Sequence, residues 1–320
     1  MLIAQRQHWN RRFGHNKIYL YLYVDWAYTM SFALFKPAAS AFIALCLLSG
    51  CGSIALPRGS QSQPEALALL EQSQKAHGKA AFEAIKDINV SYTGTWFSLI
   101  TKVQPAITDI AYRQTSQERM LMGDSLIAQI HSGPSGQKTV VEDQRKVAIW
   151  YNQQSYTGAD QMAASHLVLH AYQIFLYPAF YVQRASVLEL AGTSVVNGRD
   201  CDNLLAVLRP GIGTSAEDRV LLCIDRQDKL VRRVWLTLEG SEPSKGAVVS
   251  VVHDKFVEVG GVKWPTHFYE TVVRPFAGLP AHDFALSGID INRGLTKADF
   301  ADGKFSPLAA KPATALPATK

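Results

Sequence analysis

Between Ile88 and Trp96 apolar side chains take every second position: Ile88, Val90, Tyr92, Gly94 and Trp96 alternate with Asn89, Ser91, Thr93 and Thr95. Successive side chains of a strand point to opposite faces, so this alternation predicts a half-buried strand. The same pattern predicts a first run of strands over 108–115, 118–122, 125–131, 137–142 and 146–151. A second, longer run covers 187–197, 201–209, 217–225, 229–239, 247–259, 262–273 and 282–292. Gly123-Asp124 and the Gly133–Gly136 cluster mark turns in the first run. Asn197-Gly198 and Gly260-Gly261 suit two-residue hairpins, whose central residues take positive φ. The expected body is mainly β and antiparallel.

Two stretches depart from this period. Pro64 suits the first turn of a helix, and Ala66, Leu67, Leu69, Leu70, Ser73, Gln74 and Ala76 follow with helical spacing up to Gly78. A shorter helical piece follows over 79–85. Residues 160–182 interrupt the strands, with Met162, Ala163, Leu167, Val168, Ala171, Ile174, Phe175 and Leu176 predicting a helix that stops before Pro178. So apolar a helix between two runs of strands must bury itself against a sheet. Neither an internal repeat nor a linker divides the runs, so residues 65–300 are expected to form one domain. Residues 301–320, rich in Ala, Pro, Lys and Thr, are expected to be a disordered tail.

The N-terminal 50 residues belong to a different kind of segment. The apolar run Ala41–Leu48 is too short to span a bilayer and ends in Leu48-Ser49-Gly50-Cys51. This ending resembles the lipobox of bacterial lipoproteins. The resemblance implies that residues 1–50 are a signal peptide and that Cys51 is the lipidated first residue of the mature chain. Lys36 supplies the basic region if translation starts at Met30, which leaves 1–29 as a miscalled extension or an unusually long basic region. Residues 51–64, rich in Ser, Gly and Gln, read as a lipidated, flexible tether. Several acyl chains give stable anchoring, at ~0.8 kcal/mol per buried methylene. Gly52 stands where an inner-membrane retention signal would place Asp, so the resemblance implies the outer membrane, facing the periplasm. Residues 51–320 carry 27 basic and 26 acidic side chains, a net +1 that gives no case for nucleic acid.

One N-terminal helix, many antiparallel strands and an apolar helical insertion, all behind a lipobox, resemble the LolA/LolB-like superfamily. Particular matches are Ile88–Trp96, Asn197-Gly198-Arg199-Asp200-Cys201, Leu222-Cys223-Ile224-Asp225, Leu230-Val231-Arg232-Arg233 and Phe256–Pro265. The resemblance implies an α+β fold: a curved, incomplete antiparallel β-barrel with helices across its concave face. It also implies a groove that binds acyl chains of lipids or lipoproteins. LolA itself lacks a lipid and LolB is shorter, so neither role transfers directly.

The candidate chemistry is sparse. His166 and His170 stand four apart on the predicted helix, a spacing that can share a metal, but no third ligand adjoins them in sequence, so no metal is assigned. No G-x-S-x-G elbow is present, and Gly211-Ile212-Gly213-Thr214 has no helix after it to form a phosphate loop. A catalytic set is therefore not expected, and no cofactor. Cys201 and Cys223 lie on strands that read as paired; they either form a disulfide or remain two thiols, since sequence does not fix their separation. The candidate ligand-binding residues are Trp96, Tyr112, Trp150, Leu167, Phe175, Trp235, Trp264 and Phe268. They either line an open cleft or form ordinary core. Three functions follow: a lipid-anchored carrier or binder of acyl-chain ligands, a structural lipoprotein of an envelope complex with a filled cleft, or a periplasmic metal-dependent enzyme. Mass spectrometry of bound lipid, cross-linking to an envelope partner and metal stoichiometry separate them.

Overall fold

A computed structural model describes residues 52–301. The expected signal peptide over 1–50, Cys51 and the expected tail from 302 onward lie outside the described residues. The described chain opens with helices α1 (Pro64–His77) and α2 (Lys79–Glu83) and then enters strand β1 (Asp87–Trp96). Two short helices follow, α3 (Ser98–Val103) and α4 (Pro105–Thr108). Strands β2 (Thr115–Leu121), β3 (Leu126–Gly133), β4 (Gly136–Asp143), β5 (Lys146–Tyr151) and β6 (Gln154–Tyr156) form a meander. Helix α5 (Ala159–Leu176) and the turn-long α6 (Pro178–Tyr181) lead to a second meander. Its strands are β7 (Val187–Val196), β8 (Arg199–Leu208), β9 (Asp218–Asp225), β10 (Val231–Leu238), β11 (Ala247–Val259), β12 (Val262–Arg274) and β13 (Leu279–Ile291).

All thirteen strands share one antiparallel sheet, ordered β6-β5-β4-β3-β2-β1-β13-β12-β11-β10-β9-β8-β7. The two meanders run outward from a central seam where β1 pairs with β13, Ile88 opposite Ile291 and Trp96 opposite His282. In a flat sheet β5 and β9 would stand nine strand spacings apart, about 43 Å. Yet Arg145, in the turn between β4 and β5, donates a 3.1 Å hydrogen bond to the Gly213 carbonyl in the β8–β9 loop. The sheet therefore curls until its ends nearly meet. Breaks in register at Ser91/Tyr92, Leu190/Thr193, Val231/Arg233 and Glu270/Thr271 supply local bends. The result is a curved, incomplete antiparallel barrel, as expected.

Helix α5 fills the concave face. From Ala164 to Leu176 every residue is buried, and one contiguous core joins Leu167, Ile174 and Phe175 to Val140 and Ile149 on one arm and Leu204 and Leu222 on the other. So largely apolar a helix is stable only when enclosed. α1 closes one end, and His77 ties it to the sheet. Val231 N–H donates to His77 Nε2 at 3.1 Å, so the ring proton sits on Nδ1 and is donated to the Lys263 carbonyl at 2.9 Å.

Three sequence expectations change. The strand expected over 108–115 is instead the end of α4 and a turn: Pro105 starts a helical turn, Asp109 leaves it at φ 42°, and β2 begins at Thr115. The helix expected within 160–182 stops before Pro178 as predicted, but the following stretch, expected to be irregular or extended, is helical again as α6. The stretch 51–64, expected to be a free tether, is laid on the convex face over its described part. Ile54 is 2% exposed and packs on Leu205 and Val248, whose strand neighbours Leu204 and Val249 point into the main core. Arg58 pairs with Glu189, Gln63 N–H donates to the Leu188 carbonyl, and Gly52 lies so close to Val273 that a Cβ there would meet its side chain. Polar composition suggested mobility, but these backbone groups have partners on β7.

Candidate functional site

The concave face leaves an apolar pocket of about 320 Å³ at one end, roofed by α3 and α4. Ile100 and Ile107 face it from the helices, and Trp96, Val249, Val272 and Ala281 from β1, β11, β12 and β13. Its size is at the lower end of the ~300–1,000 Å³ range of small-molecule sites. Exposed apolar side chains stand at its mouth: Val103 is 45% exposed and Phe276 59%. Val103 ends α3, and Phe276 sits in the β12–β13 turn. Isolated exposed apolar residues are ordinary, whereas two at the rim of one apolar opening suit a contact surface.

The inner wall is aromatic with a charged centre. The Trp96 ring stacks on His282 at 3.8 Å between centroids. The Arg113 guanidinium stands 5.0 Å from the Trp96 ring centre and 4.6 Å from that of Tyr172. Such stacking stabilises a cation removed from water. Arg113 Nη1 donates to the Ile107 carbonyl at 2.9 Å, while Nε and Nη2 have no well-directed partner among the described residues. Glu270 adjoins the pocket; burial pushes its pKa up to about 7, and Arg113 works against that rise. Burial, reinforced by Arg113, holds His282 well below the usual imidazole range, so that ring is neutral.

The eight residues singled out from the sequence do not share one site. Trp96 lines the pocket, and Leu167 and Phe175 line a small recess that adjoins it. Trp264 and Phe268 are fully buried core, 1% and 0% exposed. Tyr112 packs edge-on against Tyr151, centroids 4.6 Å apart. Trp150 and Trp235 are on the convex face: their neighbours Ile149, Val234 and Leu236 point inward, while Trp150 packs near Leu295 and Phe300 and Trp235 near Ile54. Sequence reading missed Ile100, Ile107, Arg113 and Glu270. The first three lie on or beside short helices without a side-chain N-cap, leaving Pro105 as the local signal. Cys201 and Cys223, diagonal neighbours on β8 and β9 with Cα atoms 5.3 Å apart, are joined by a disulfide.

No family model and no curated protein matches this chain. The chain is similar to several solved structures at low identity. One is a LolA superfamily protein from Nitrosomonas europaea, at 10% identity and a TM-score of 0.46, with 74% of this chain and 97% of that one covered. A DUF1329 family protein from Desulfovibrio piger aligns at 11% identity and a TM-score of 0.46, over 73% of this chain and 96% of that one. The Mycobacterium tuberculosis lipoprotein LppX aligns at 10% identity and a TM-score of 0.25, over 68% and 100%. At these scores the likeness is distant, and the architecture given above rests on this chain's own strand order and register.

Proposed function

We propose that this protein is a lipid-anchored protein of the cell envelope that binds the acyl chain of a lipid or lipoprotein in the pocket beneath α3 and α4. The observation that carries this reading is the apolar pocket itself, with Val103 and Phe276 at its mouth. Burying a chain there gains about 25 cal/mol per Å² of apolar surface. The anchor is Cys51, on the strength of Leu48-Ser49-Gly50 before it, and Gly52 favours the outer membrane, facing the periplasm. Cys51→Ala should leave the chain unprocessed or soluble; normal processing with unchanged membrane fractionation would refute the anchor.

Binding is tested with a long-chain fatty acid on the purified protein. A ligand that binds only the folded state raises the melting temperature by mass action. Ala281→Trp, which fills the pocket from β13, should abolish that rise and the lipid recovered by mass spectrometry. A folded protein that carries no lipid and shows no shift would instead favour a structural role in an envelope complex. The filling of the concave face by α5 is the feature that suits this second reading.

A further inference from the structure

A second site lies on the opposite side of α5 from that pocket. His166 and His170, four apart, present their imidazoles to one side of the helix, and β4 brings Glu142 up to both. His166 Nε2 and His170 Nε2 each stand 3.1 Å from Glu142 Oε2. All three donor atoms lie within 4.8 Å of one another, and all three residues are buried. His166 Nε2 and Glu142 Oε2 have no well-directed hydrogen bond among the described residues. Three donor atoms converge where ordinary hydrogen bonding leaves two of them unsatisfied.

We propose that Glu142, His166 and His170 form a site for a divalent transition metal of the zinc class. Bonds of ~2.0–2.2 Å from a tetrahedral metal to nitrogen and oxygen put neighbouring ligand atoms about 3.3–3.5 Å apart. The observed 3.1 Å carboxylate–imidazole separations are therefore within a few tenths of an ångström of that spacing. Two imidazoles and one carboxylate are a donor set that suits zinc and leaves a fourth position open. The second shell is present as well. His170 Nδ1 stands 2.8 Å from the Tyr181 hydroxyl, which also accepts from Arg184 Nη2 at 3.0 Å. With metal on Nε2, Nδ1–H donates to the Tyr181 oxygen, an arrangement that fixes the tautomer and the ring orientation.

Access is also provided: Glu142 and His170 line a cavity of about 820 Å³, with Arg145, Gln173, Tyr181 and Arg184 on its walls. The fourth position would be filled by water or a small anion, and the two arginines favour the anion.

The test uses the full chain, stripped with chelator and titrated with Zn²⁺ against a chromophoric competitor. One equivalent should bind, and Co²⁺ in its place should give the intense visible bands of a four-coordinate ion. His166→Gln and Glu142→Gln should each weaken binding by about tenfold or more. Tyr181→Phe, which leaves the three ligands in place, should weaken it by roughly tenfold with the fold intact. Substoichiometric Zn²⁺ and only weak six-coordinate Co²⁺ bands in the unsubstituted protein would overturn the proposal, whatever the folding of the variants. Binding unchanged in folded His166→Gln would overturn it equally.

Discussion

His77 shows how one side chain joins two elements and makes them sensitive to acid. Its ring accepts from Val231 and donates to Lys263, and burial pulls its pKa down to about 4. A depressed folded pKa means that the unfolded chain takes up the proton first. The stabilisation is therefore complete above the ordinary 6.5 and is lost as pH falls toward about 4. His253, buried and lowered to about 3, acts in the same direction. Urea denaturation between pH 4 and 7 should show this decline, and His77→Leu should flatten part of it. The same variant should cost about 1–3 kcal/mol at pH 7, since it strands two buried backbone groups. Glu118 has the opposite sign. Burial raises its pKa to about 8, although Gln129 donates to its Oε1 at 2.6 Å. Its folded pKa exceeds its unfolded one, so stability falls as pH rises from about 4.5 to about 8. Glu118→Gln should be the more stable protein at pH 9 and lose that advantage near pH 4; equal melting curves at pH 9 would refute this. Neither His77 nor Glu118 could be singled out from sequence, because a polar residue at a helix end or on a strand reads as exposed, and only the folded structure buries them.

At the scale of elements the strands were legible and the short helices were not. Period-two alternation located β1 to within a residue, and Asn197-Gly198 and Gly260-Gly261 form the turns they predict, with φ of 49°, 75°, 60° and 77°. The turns at Gln144-Arg145 and Asn152-Gln153 adopt the same positive φ without a glycine, so β6 beyond the second went unseen. α3 and α4 are one turn or little more, too short for helical periodicity to register. For the same reason the pocket they roof was hidden, although Trp96 on β1 was visible. α5 was recognised by its apolar run; its polar side chains His166, His170 and Gln173 are buried along with the apolar ones. Phe175→Ala within it should cost about 3–5 kcal/mol in denaturant unfolding. The disulfide acts between β8 and β9. Replacing both Cys201 and Cys223 by Ala should lower stability by about 3 kcal/mol in the chain-entropy model, for a separation of 22 residues. Mass mapping without reduction checks the bridge directly; two free thiols in protein from an oxidising compartment would remove it.

At the scale of the whole molecule the two sheet ends meet without a ladder between them. Arg145 and Gly213 form one of the contacts there, so Arg145→Ala should cost no more than about 1 kcal/mol while speeding amide exchange around residues 211–215. Faster exchange throughout the sheet would mean instead that the rim contact holds the entire barrel. The docked N-terminal segment has a different consequence. Gly52 lies against Val273, three positions before Phe276 at the pocket mouth, and Cys51 directly precedes Gly52 in the sequence. With Cys51 lipidated as proposed, the leash has no slack. It then sets a heading as well as a distance: the mouth is turned to the bilayer, and a ligand can change hosts without entering bulk water. Ten Gly/Ser residues inserted between Cys51 and Gly52 should slow lipid uptake from vesicles while leaving affinity in detergent unchanged.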